Sequence, residues 1–343
     1  MGDPAGIGPE VVLKAIAAPA VAARIEPILV GDLAVWQETA SRLGLESLRP
    51  GSFQLGTPVG SRTVRVIATS TLAARHRVPG APHGRVAAKA CGAAAYAAII
   101  EAVRLVQSGG AAGVVTAPIN KANVVAAGFD FPGHTELLAA LAGGVPVRMM
   151  MAGPRLRVVL VTTHLRLADV PRRLTRDAVL ETITITARSL RDRFGIAAPR
   201  LAVTGLNPHA GEQGLFGDEE ARVILPAVHT ARRRGITVTE PLAADGVFAL
   251  AAGGMYDAII CMYHDQGLAP FKLLHFADGV NVTLGLPFIR TSPDHGTAFD
   301  IAGTGRADPR SMIAALQMAA DAARRRPLRR PMTLVRRPAT AVS

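Results

Sequence analysis

"AIICMYHDQG", residues 258–267, is a run of apolar residues that stops abruptly at Tyr263 and is followed at once by His264 and Asp265. The run is too short for an amphipathic helix and carries the β-branched and apolar character of a buried strand. The same arrangement stands at "RVVLVTTH", residues 157–164, and at "RLAVTGLNPH", residues 200–209. Between them lie segments of helical pattern, "RDAVLETITITARSLRDRFG" (176–195) and "EEARVILPAVHTARRRG" (219–235). Strands that alternate with helices predict an α/β fold with a parallel or mixed sheet.

The order extends toward the N-terminus. "PILVGD" (27–32) precedes the helical "LAVWQETASRLGL" (33–45), and a long Ala-rich helix from Ala87 stops at Gly109-Gly110 before the buried strand "AAGVVTAPI" (111–119). At 343 residues the chain is long enough for two domains. No internal repeat is present, and no stretch of about 18 uncharged apolar residues marks a membrane span. "MGDPAGIGPE" lacks the basic and apolar regions of a signal peptide, so a cytoplasmic location is expected. Cys91 and Cys261 are too few for a disulfide framework or a thiolate cluster, and Cys261 reads as a reduced core thiol.

The net charge is +12, but seven arginines lie in the last twenty residues, "RRRPLRRPMTLVRRPATAVS", and 12 − 7 leaves +5 for the body. Three Tyr and one Trp offer little for base stacking, so no nucleic-acid partner is expected. The last helical pattern, in 308–326, should stop near Arg326 because Pro327 disfavours helical geometry before it. Beyond it a solvated, frayed end is expected.

In α/β sheets, ligands sit beyond the carboxyl ends of the strands. His164, His209 and His264 could therefore converge in one crevice, where three neutral imidazoles would suit zinc or another divalent ion; the alternative is three hydrogen-bonded loop histidines. Asp265 and Asp245 could orient ligands or move protons, or serve as caps. "GHTELL" places His134 and Thr135 at a helix start that favours an anion, the alternative being a plain Thr cap. Lys272, Asn281 and Arg290 are isolated polar points in an apolar segment; a carboxylate or phosphate ligand fits them, and surface ion pairs are the other reading. "GDPAGIGPE" has only Met1 before it and so fails as a dinucleotide fingerprint. It reads instead as a turn with Pro9 opening a helix and Glu10 in its first turn.

"MGDPAGIGPE", "TAPINK", "GHTELL", "VTTHL", "GLNPHAGE", "MYHDQGLAPFK" and "GVNVTLGLPFIRTSPDHGTAFDIAGTG" together resemble the 4-hydroxythreonine-4-phosphate dehydrogenase family, nearly end to end and in order. The resemblance implies a two-domain fold of the isocitrate and isopropylmalate dehydrogenase kind, with an interdomain cleft. We expect a discontinuous cofactor domain, 1–117 with 288–343, and a metal, substrate and dimerisation domain, 118–287. It implies metal ligands at His164, His209 and His264, substrate contacts at His134, Thr135, Lys272, Asn281 and Arg290, and a nicotinamide loop at His295, Gly296, Thr297 and Ala298. NAD, with NADP as the alternative, a Zn, Mg or Co ion, and a homodimer with shared active sites complete the expectation. The implied reaction oxidises 4-phosphooxy-L-threonine to a 3-oxo acid that decarboxylates to 3-amino-2-oxopropyl phosphate. Relatives act on four-carbon sugar-acid phosphates or a diene-diol dicarboxylate, and a non-catalytic metal- or anion-binding protein is the reading from another class. The family usually carries a short strand before "MGDPAGIGPE", which suggests a truncated or misassigned start, and the Arg-rich tail has no family counterpart.

Overall fold

The computed structural model describes residues 1–49, 52–57, 60–80, 84–129 and 133–325, with the side chains of 46–62 left aside. The expected frayed tail lies outside the described residues. The chain divides into two compact units, 1–146 with 286–323, and 147–285 with Arg324 and Arg325.

In the first unit, Pro9 and Glu10 sit in the first turn of the helix Gly8–Ala17, as their residue types favour. The strand Ile28–Asp32 runs parallel to Gly60–Ser70, which pairs antiparallel with Ser52–Thr57, itself antiparallel to Glu46–Arg49. Asp32 ends its strand and caps the helix Leu33–Arg42: one carboxylate oxygen accepts from Ala34 and Val35, and the other from Leu72 N–H at 2.6 Å. Leu13, Ile16, Leu29, Trp36 and Val64 form the core there.

The helix Gly84–Gln107 is long and apolar enough to cross a membrane by length and composition. Its buried face, including Cys91, Ala94, Ala98 and Val103, is instead covered within the unit. Gly92 lies so close to the helix Lys121–Ala126 that an added Cβ would stand 1.9 Å from the Asn123 carbonyl oxygen. Asn123 also donates to the buried Asp3 at 2.8 Å. These contacts keep 118–146 in the first unit, so the expected break at 117/118 falls inside it and the chain leaves the unit near Pro146. The return, expected at 287/288, comes at 285/286. The short strand Gly113–Val115 pairs in parallel with Ile289–Pro293.

The second unit contains a mixed sheet. Val280–Leu284 is antiparallel to Arg148–Ala152, which is antiparallel to Arg157–Leu160. From there the pairing is parallel: Arg157–Leu160 beside Ala258–Cys261, then Leu201–Thr204, then Val238–Leu242. Met151, Val158, Leu160, Ala202, Ile259, Cys261 and Phe271 are buried together beneath it. The Cys261 thiol is pushed up by burial, and the Cys91 thiol to about 12, so both are core thiols. The fold is thus α/β with mixed sheets, and its last described helix is Arg310–Arg325; the stop expected at Pro327 lies outside the described residues.

Candidate active site

The three strands that precede the histidines are neighbours, with Ala258–Cys261 in the middle. All three run the same way, so their carboxyl ends share one edge of the sheet. Register decides which histidines meet. Leu160 pairs with Cys261, and the pairing continues as Val161 N–H donates to the Cys261 carbonyl and Thr162 Oγ1 to the Met262 carbonyl. His164 and His264 consequently leave at the same level, with ring centroids 5.7 Å apart.

His264 opens the helix His264–His275, and its Nδ1 is 2.6 Å from the exposed Asp265 carboxylate. That contact fixes the ring and leaves Nε2 as the nitrogen for a further ligand. Asp265 is therefore in position to orient a histidine, one of the two roles expected of it. Asp245 lies exposed in the first turn of the helix Ala244–Ala252, whose N-cap is Ala243.

His209 is held differently. It begins a run of left-handed residues, His209, Ala210, Gly211, Glu212 and Gln213, with φ of 51°, 53°, 85°, 40° and 55°. Left-handed geometry costs a non-glycine residue on the order of 1 kcal/mol, so such a run persists only where its surroundings determine it. The His209 ring is exposed and packs near Phe216, centroids 6.1 Å apart. Among the described residues no group of three or more His, Cys, Asp or Glu side chains is gathered closely enough to hold a metal. The pair His164 and His264, one ring oriented by a carboxylate, has the donor chemistry of a divalent-ion site; His209 stands outside the pair.

Gln266, which sequence reasoning missed, ties the edge together. Its Oε1 accepts from Thr204 Oγ1 at 2.8 Å and Met262 N–H at 2.7 Å, and its Nε2 donates to the Gly205 carbonyl at 2.7 Å. In sequence it was only a polar residue in a helix start; two of its partners, Thr204 and Gly205, lie at the end of another strand.

The first unit gathers positive groups. Arg290, on the strand Ile289–Pro293, is buried and donates through Nη2 to Thr116 Oγ1 at 2.8 Å. Burial lowers its pKa to about 10, against the opposing pull of Glu136, so it remains a cation near neutral pH. His134 is the first residue of the helix His134–Leu141, whose cap is Gly133 rather than Thr135. Its pKa is held well below 6.5 by burial first, then by Arg290, the amino terminus and Lys121. His134 is half-buried as a residue, yet its Nε2 is closed off and meets no hydrogen-bond partner. A neutral imidazole, a buried guanidinium and a helix N-terminus have the chemistry that suits an anion. Thr135 lies half-buried in the same first turn. Lys272 is half-buried on the helix His264–His275, and Asn281 on Val280–Leu284 keeps a buried Oδ1 without a hydrogen bond.

The segment His295–Ala298 rests on "GDPAGIGPE". Ile7 N–H donates to the Thr297 carbonyl at 2.9 Å, and an added Cβ on Gly6 would stand 3.0 Å from Thr297. Further along, Lys14 donates to Glu10 and to the carbonyls of Gly305 and Ala307. A Cβ on Gly296 would meet open space, and the buried His295 Nε2 has no hydrogen-bond partner. The N-terminal glycines therefore act as a platform for a second loop, which explains their failure as a fingerprint.

A 4-hydroxythreonine-4-phosphate dehydrogenase of Desulfosudis oleivorans is 50% identical over 336 residues, 94% of each chain. A D-threonate 4-phosphate dehydrogenase of Cupriavidus necator is 46% identical over 95% of this chain and 96% of its own. The crystal structure of 4-hydroxythreonine-4-phosphate dehydrogenase from Klebsiella pneumoniae superposes with a TM-score of 0.81 at 40% identity, covering 94% of this chain and 98% of that one. Residues 23–319 match the family model of the pyridoxal phosphate biosynthetic protein PdxA, and the chain belongs to that family.

Proposed function

We propose that the protein is a metal-dependent, nicotinamide-dependent dehydrogenase that oxidises 4-phosphooxy-L-threonine to 2-amino-3-oxo-4-phosphooxybutanoate, which loses carbon dioxide to give 3-amino-2-oxopropyl phosphate. The observation that carries this reading is the register-matched pair His164 and His264 at the edge of three parallel strands. When bound, a divalent ion would lower the pKa of the substrate hydroxyl and stabilise the enolate of decarboxylation, while the nicotinamide would accept hydride.

The chain's own residues bind and orient. His164 and His264 would hold the ion, with His209 as third donor, and Asp265 keeps the His264 ring turned so that Nε2 is available. Arg290, His134 and Thr135 would take the phosphate, and Lys272 and Asn281 the remaining polar groups of the substrate. Binding energy from the phosphate, remote from the reacting carbon, would serve to orient the hydroxyl. Asp245 or Asp265 would accept the hydroxyl proton. His295, Gly296, Thr297 and Ala298 would contact the adenosine half of NAD, for which the open space at Gly296 leaves room. We take the enzyme to be a cytoplasmic homodimer.

A second reading, D-threonate 4-phosphate as substrate, is favoured by the Cupriavidus relative. It shares the phosphate, the oxidisable hydroxyl and the carboxylate, and lacks the amine. A panel of both substrates and a diene-diol dicarboxylate, followed at the NADH absorbance band with and without a chelator, tests the proposal. Turnover of 4-phosphooxy-L-threonine that stops with chelator supports it. Turnover of D-threonate 4-phosphate alone replaces it with the second reading.

A further inference from the structure

Glu220 opens a π-helical turn, Glu220–Ile224, immediately before the helix Leu225–Arg233. Such turns insert one extra residue and redirect the side chains at their start. The Glu220 carboxylate is buried, yet it faces away from its own helix and into the loop that carries His209. Its Oε1 accepts from Leu206 N–H at 2.7 Å and Asn207 N–H at 2.8 Å, and its Oε2 accepts from Asn207 Nδ2 at 3.1 Å. Leu206 and Asn207 lie between the end of the strand Leu201–Thr204 and His209. Among the described residues no cationic side chain pairs with this carboxylate, so N–H donors of the loop alone stabilise its charge.

The loop is shaped around that carboxylate. An added Cβ on Gly205 would stand 2.9 Å from Oε1, and one on Gly211, whose φ is +85°, 2.7 Å from Oε2. Burying a carboxylate without a cation is costly unless its donors are fixed. The dependence runs both ways: the left-handed run that begins at His209 needs an external determinant, and the buried Glu220 carboxylate is bonded to both backbone N–H groups at its base, while the half-buried Glu219 shares only Asn207 Nδ2, at 2.8 Å.

We propose that Glu220 is a positioning residue that sets the direction in which His209 leaves the sheet and thereby the completeness of the metal-binding set. The proposal rests on the reading of His164, His209 and His264 as metal ligands. It assigns to a residue without metal contact the role of holding the third donor, which among the described residues is the one not gathered with the others.

The test is a titration of the full-length protein with Co²⁺ alone, without substrate, followed by calorimetry and by the d–d absorption band. The variants are Glu220→Ala, Glu220→Gln, His209→Ala, His164→Ala and His264→Ala, with NAD⁺ binding and melting temperature as controls. Glu220→Ala is expected to weaken Co²⁺ by about tenfold or more and to shift the band toward that of His209→Ala, as outer-shell changes do. Glu220→Gln keeps an acceptor for the two backbone N–H groups but presents a donor to Asn207 Nδ2, and should fall between. In the His209→Ala background, Glu220→Ala should add little, because both act on one donor. Unchanged Co²⁺ affinity and band in the Glu220 variants, with loss in the histidine variants, overturns the positioning role alone. Unchanged binding in all three histidine variants overturns the metal reading and this proposal with it. Where Glu220→Ala does not fold, the same criteria apply to Glu220→Gln.

Discussion

Desolvation lowers the pKa of both the half-buried His134 and the buried Arg290, but it leaves one neutral and the other charged. The difference is intrinsic: an imidazole near 6.5 loses its proton under a modest penalty, whereas a guanidinium lowered to about 10 does not. For His134 the unfolded chain binds more protons than the folded one below 6.5, so stability present above that value is lost as pH falls through it. His134→Gln should therefore flatten the fall in melting temperature between about pH 7 and pH 5, as read by calorimetry. An equally steep fall in the variant would show that the ring is accessible to protons in the folded state. Arg290 bears on binding rather than titration. Arg290→Lys should raise KM for the phosphorylated substrate by about tenfold while changing kcat less, because a point charge cannot reproduce the guanidinium fork and its bond to Thr116.

Elements show what could be read in the chain and what could not. The strands before His164, His209 and His264 were legible because each is a short apolar run followed by polar residues, and the start of Gly8–Ala17 because Pro9 and Glu10 are local signals. The placement of 118–146 was not, since it depends on Gly92 meeting Asn123 and on Asp3 bonding Asn123, contacts between distant positions. Gln266 and Glu220 were hidden for the same reason: Gln266 bonds Thr204 and Gly205, and Glu220 bonds Leu206 and Asn207, groups of other elements that no periodicity reveals. The gathering of His164 with His264, but not His209, depends on strand register and a left-handed loop, and sequence supplied only the shared position at strand ends. Gly92→Ala should destabilise the protein by about 1–3 kcal/mol or more through overpacking against Asn123. Thermal or urea unfolding measures it, and a neutral effect would mean that the two helices separate without cost.

At the scale of the whole molecule, charge is concentrated at one end of the chain. Truncation after Arg330 should leave turnover and metal content near those of the full chain, because the sequence beyond it has few apolar residues to bury and is punctuated by Pro331 and Pro338. A large loss of either would assign the distal arginines to the active enzyme. Saturating Co²⁺ should raise the melting temperature of the full chain, by the mass action of a ligand that binds only the folded state, and His264→Ala should abolish that rise. An equal rise in the variant would place the ion elsewhere.

The strand that carries His264 lies between those that carry His164 and His209, although it is the last of the three in the chain. During synthesis, the first two histidines emerge without the strand that joins them in the sheet. The pair His164 and His264 cannot exist until Ala258–Cys261 has inserted between its two neighbours, a non-local pairing of the kind that forms slowly. Under the proposed metal reading, capture of the ion would be a late event that reports completion of the sheet, and a partly made chain would offer only isolated imidazoles. The order of strands would thus tie loading of the proposed site to a finished sheet.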